Sequence, residues 1–82
     1  MGLSADLLLK LTRKYEPSSL VRLTFRGKDL AVQTDGDGNA MVLFIGRSDA
    51  TGRIKGQRYA RTLKADTAGR VIKDHWDLKG KV

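Results

Sequence analysis

The chain has 82 residues, a net charge of +7, no cysteine and one histidine. That length makes one domain near the small end of self-sufficient folding, and the missing cysteines exclude disulfides and thiolate metal sites. The longest apolar run, residues 40–45, is far short of the roughly 20 residues of a membrane helix; the start lacks the basic segment and apolar core of a signal peptide, so the expected setting is cytoplasmic.

The first element is a helix over residues 4–15. Ser4 is a good N-cap and Asp6 lies in the first turn, where the helix dipole favours an anion. Leu3 and Leu8 stand at the spacing of a hydrophobic staple. Leu7, Leu8, Leu11 and Tyr15 form one apolar stripe, with Lys10, Arg13 and Lys14 toward the C-terminal end. Pro17 disfavours helical backbone at Glu16 and stops the helix near Tyr15.

From Ser19 onward the pattern is that of strands. Three segments, Asp35-Gly-Asp-Gly38, Asp49-Ala-Thr-Gly52 and Asp66-Thr-Ala-Gly69, have aspartate first and glycine fourth. An aspartate there hydrogen-bonds backbone two residues on, and glycine supplies a left-handed end to the loop. Gly27-Lys28 suits a shorter type II′ turn. Four turns give five antiparallel strands at 19–26, 29–34, 39–47, 53–65 and 70–78. The fold class is therefore α+β: one helix on a five-stranded antiparallel meander, either open or partly closed as a small barrel.

Four-residue loops set the registers. The first turn pairs Arg26 with Asp29, Phe25 with Leu30 and Leu23 with Val32. The 35–38 loop pairs Val32 with Met41 and Leu30 with Leu43. Residues 71–78, Val-Ile-Lys-Asp-His-Trp-Asp-Leu, hold the lone histidine and tryptophan. A 66–69 loop sets Leu63 opposite Ile72, Arg61 opposite Asp74, Tyr59 opposite Trp76 and Arg58 opposite Asp77, which explains the aspartates as ion-pair partners. A 49–52 loop alone would turn Tyr59 to the wrong face. A bulge at Gly56 restores it opposite Leu43 and gathers Val21, Leu23, Phe25, Leu30, Val32, Met41, Leu43, Ile45, Tyr59, Leu63, Ile72 and Trp76 under the helix.

The other face then carries Phe44 amid small residues, ringed by Arg22, Arg26, Arg58, Lys64 and Lys73, with His75 nearby. Residues 40–82 hold a balance of +6, against +1 for residues 1–39, and five cations but no acid fall within residues 53–64. A basic sheet face with an aromatic for stacking is a recurring way to hold single-stranded nucleic acid, with the cations on phosphates. The same pattern is also that of a solvated face whose arginine stems cover Phe44.

A helix followed by five antiparallel strands, with Val21-x-Leu23 and Gly27-Lys28 in fitting places, resembles the Sm-like RNA-binding barrels. The resemblance is one of architecture, and no functional residue is carried over from it.

Other motifs point to turns, not chemistry. Asp35-x-Asp37-x-Asn39 begins like a calcium loop, but Ala40 stands where the loop needs glycine and Gly46 where it needs glutamate. His75 and Asp77 share a strand face, yet no serine lies in a nucleophile elbow. The expectation is a non-catalytic binding module without metal or cofactor, its partner nucleic acid or an acidic protein, and its state monomeric or weakly dimeric. The alternative is a protein-interaction or homodimerisation domain using Phe44 and Val42, or a Tyr59/Trp76 patch were the bulge absent.

Overall fold

The computed structural model describes residues 3–81. Helix α1 (Ala5–Leu11) opens at Ser4, whose Oγ accepts from the Leu7 amide at 3.2 Å, and it presents Leu7 and Leu11 inward. It ends four residues earlier than the pattern predicts. Thr12 Oγ1 donates to the Leu9 carbonyl, and the Tyr15 hydroxyl reaches back to that of Lys10, so side chains satisfy the last turn. Lys14 instead bridges Asn39, and the Tyr15 amide donates to the Gly38 carbonyl. Partners on a distant loop, invisible to helical spacing, hold this segment out of the helix.

The strands are β1 (Leu20–Phe25), β2 (Lys28–Thr34), β3 (Ala40–Ser48), β4 (Ile54–Ala65) and β5 (Val71–Lys81), in one antiparallel sheet of order β1-β2-β3-β4-β5. Among the described residues β1 and β5 are both edges, so the sheet is open and not a barrel.

The three Asp-x-x-Gly loops share one geometry. In each, the aspartate carbonyl accepts from the glycine amide, and the aspartate amide donates to the carbonyl of the residue after the glycine. Oδ1 accepts from the amides two and four residues on. Gly38, Gly52 and Gly69 have φ of 82°, 84° and 83°. This is a type I turn followed by a left-handed glycine, a three-residue hairpin loop. It makes each register one residue longer than a four-residue loop would.

Two of these hairpins then add a bulge beside the loop, with Met41 and Ile72 as the extra residues, so the offset becomes two; the β4–β5 ladder shifts once more at Lys79, beyond the Tyr59–Leu78 pair. Side chains keep their expected face while every partner changes. Val32 faces Leu43 instead of Met41; Leu63 faces Asp74, Arg61 faces Trp76 and Tyr59 faces Leu78. Ala40, fully buried, takes the core place expected of Met41, and Ile72 is exposed. The first hairpin is also offset by two, because Arg26 and Gly27, both at positive φ, form the turn, giving Leu23–Leu30 and Val21–Val32 pairs. That is a type I′ turn, with two left-handed centres, in place of the expected II′.

No bulge exists at Gly56. The β3–β4 ladder runs unbroken from Ser48–Ile54 to Val42–Ala60. Tyr59 still faces Leu43, because the loop itself supplies the odd residue. The core comprises Leu7, Leu11, Leu30, Val32, Ala40, Leu43 and Tyr59, with Trp76 at its margin. The Tyr59/Trp76 patch considered for an interface is thus part of the core and not a separate surface.

Arg61 ties β4 and β5 to the bulge. Its Nε and Nη2 donate to Asp74 at 2.6 and 2.7 Å, and Nη1 donates to the Ala40 carbonyl at 3.2 Å. The guanidinium also lies 5.8 Å from the Trp76 ring centroid. The expected Arg61–Asp74 pair therefore forms, but diagonally. The expected Arg58–Asp77 pair does not, since Asp77 stands opposite Ala60.

Candidate nucleic-acid interface

Glycines 46 and 56 face each other across β3 and β4. A Cβ on Gly46 would stand 2.0 Å from the Lys55 carbonyl oxygen, and one on Gly56 2.1 Å from that of Ile45. Only backbone without side chains approaches so closely, and here it allows the hairpin to bend. Beyond this pair the β3–β4 turn folds over the sheet face opposite the helix. Arg22 on β1 reaches it: Nη1 donates to the Gly52 carbonyl at 2.6 Å. In a flat sheet of this order, β1 and that turn would lie well apart.

The fold-over leaves a half-open cavity of about 280 Å³. Cross-strand neighbours Ala31 and Phe44 form its floor, with Leu20 on one side and Ile54 on the other. Gln33, Arg22 and Arg53 supply its polar groups, and no carboxylate lines it. Ile54 is only 6% exposed although it points away from the helix, so this face has a small apolar centre of its own.

The expected site residues divide into three groups. Arg22 and Phe44 line the cavity, and Arg58, exposed, stands directly opposite Phe44 on the same face. Lys64 and Lys73 oppose each other toward the far end of the β4–β5 hairpin, with His75 opposite Thr62. Two like charges in register repel, and Lys73 lies on the β5 edge strand, where a charge also blocks pairing with another chain. His75 Nε2 lies 2.9 Å from Asp77 Oδ2. Arg26 leaves the group altogether. It sits at the β1–β2 turn, where its guanidinium bonds Asp6 of the helix and lies over the Phe25 ring.

Acids on this face are already engaged. The Ser48 amide donates to Asp29 at 2.8 Å, holding its carboxyl below the usual range and therefore ionised at neutral pH. Asp77 has His75. Sequence reasoning missed Leu20, Gln33, Arg53 and Ile54 as cavity residues. Arg53 was visible in the basic run; a four-residue loop would pair Ile54 with Arg47 and turn it toward the helix, whereas the observed Ser48–Ile54 pair puts it on the Phe44 face. The glycine pair at 46 and 56, once aligned, was the available signal for a fold-over.

Among the described residues no helix is long and apolar enough to cross a membrane, and no three His, Cys, Asp or Glu side chains come together as a metal site. Compared with protein-family models, curated proteins and solved structures, the chain matches none.

Proposed function

We propose that the protein is a non-catalytic module that binds nucleic acid, or a related polyanion, through the concave basic face around Phe44. The observation that carries this reading is the cavity under the folded-over turn, which has an aromatic floor, arginines at its mouth and no lining carboxylate. Arg22, Arg53 and Arg58 neutralise phosphates near the cavity, and Lys64 and Lys73 extend the positive track along β4 and β5. A cytoplasmic setting goes with this reading.

The test is fluorescence anisotropy with a labelled single-stranded oligonucleotide at 50 and 200 mM salt. Neutralising three to five phosphates at a slope of about −0.7 each weakens binding about 20- to 130-fold over that range. Absence of binding, or affinity indifferent to salt, refutes the proposal.

A second reading, homodimerisation, draws on the open β5 edge, where Val71 and Ile72 are 59% and 66% exposed. Lys73, Lys79 and Lys81 along the same strand oppose edge pairing between copies. Sedimentation velocity at high salt separates the two: a dimer that persists there favours this reading.

A further inference from the structure

We infer that the cavity beneath the β3–β4 turn receives one unpaired nucleobase, so that the face prefers single strands to duplexes. This rests on the proposed polyanion reading and adds to it what enters the cavity.

Size is the first argument. At about 280 Å³ the space falls below the roughly 300–1,000 Å³ typical of pockets for drug-sized ligands. It has room for one ring system and not for a base pair. Its chemistry is the second. Phe44, half-buried, offers aromatic surface for a flat ring, backed by the buried Ala31 and Ile54. Gln33 carries both a donor and an acceptor in its amide, the combination that reads a base edge. The third argument is the position of charge. Arg22 and Arg53 stand at the rim, where the phosphates flanking an inserted base would pass.

The roof restricts access. Arg22 holds the Gly52 carbonyl at 2.6 Å, so the turn stays down over the floor. A base in a duplex must first leave its stack and its partner, at a cost that a single strand does not meet. The remaining arginine donors are left to contact phosphate.

Anisotropy with three probes of equal length tests this: a single strand, an abasic strand with every phosphate kept, and a duplex. Wild-type protein is expected to bind the intact strand about 5- to 150-fold more tightly than the abasic one, the range that one stacked base gives. Phe44→Ala should remove that difference, bringing the intact strand down to the affinity of the abasic one. Should Phe44→Ala not fold, Gln33→Ala, on an exposed side chain, serves instead and is expected to narrow differences among homopolymer strands. Salt-sensitive binding that is equal for intact and abasic strands overturns the base pocket while the polyanion reading stands. Absence of salt-sensitive binding to all three probes overturns both.

Discussion

Gly56→Ala tests the bend on which the concave face depends. The added methyl would stand 2.1 Å from the Ile45 carbonyl oxygen and 2.9 Å from the Gly46 Cα. Both obstacles are backbone, so no side-chain rotation relieves the clash, and reaching ordinary contact at 3.4 Å requires the strands to part by more than an ångström. Overpacking of this kind costs about 1–3 kcal/mol, and each ladder hydrogen bond loosened adds about 0.5–1.5 kcal/mol. A loss of about 3 kcal/mol is expected, from a total of about 4–12 kcal/mol for a chain of this length. At an m-value of about 1.5 kcal/mol/M the urea midpoint falls by about 2 M. Gly36→Ala is the control: its Cβ meets nothing within 4 Å and its φ is not positive, so the expected effect is neutral or slightly stabilising. Urea unfolding followed by Trp76 fluorescence reads both variants. A Gly56→Ala midpoint equal to wild type, with m unchanged, refutes the reasoning.

Asp74→Asn should cost about 2 kcal/mol in urea unfolding, because the Arg61 side chain, 6% exposed, loses its ionised partner; the 32% exposure of Asp74 keeps the figure below that of a fully buried pair. The double variant Arg61→Met/Asp74→Leu should recover most of that loss, and a double variant no better than the single one would contradict it. Acid unfolding follows from four aspartates held below their usual range, by the Arg61 side chain at Asp74, the Ser48 amide at Asp29, the Asn39 amide at Asp35 and the Thr51 hydroxyl at Asp49. Their folded values lie below the unfolded one, near 3.9, so their stabilisation is complete above that value and lost as pH falls through the folded ones. The urea midpoint should drop below about pH 4, and equal midpoints at pH 3 and pH 6 would rule this out.

The way the registers came out has a simple physical cause. In a strand the side-chain period is two, so an offset of two residues leaves each side chain on its face and changes only its neighbour. Three of the four hairpins carry such an offset. Val21, Leu23, Leu30, Val32, Leu43 and Tyr59 therefore face the helix as their alternation implies, although several of their partners differ. Arg61 and Asp74 still meet because the long arginine side chain spans the diagonal. Among the site residues, Phe44 and Arg22 came together as the pattern implies, since parity places both on the second face. Arg26 did not, because it is the turn residue itself. A left-handed conformation is costly for arginine; its contact with the neighbouring Phe25 and its exposed ion pair with Asp6 offset part of that cost, and the ion pair depends on where the helix packs.

Local chemistry in the chain determined the Ser4 cap, three aspartate–glycine loops, five strands and the division of residues between two faces, because each is a matter of neighbours a few positions apart. Tertiary structure alone decided the helix end at Leu11, the bulges at Met41 and Ile72, and the bend at Gly46 and Gly56 that makes a cavity of a flat face. Those features arise where backbone groups far apart in sequence satisfy one another or come into contact, and no local pattern carries that information.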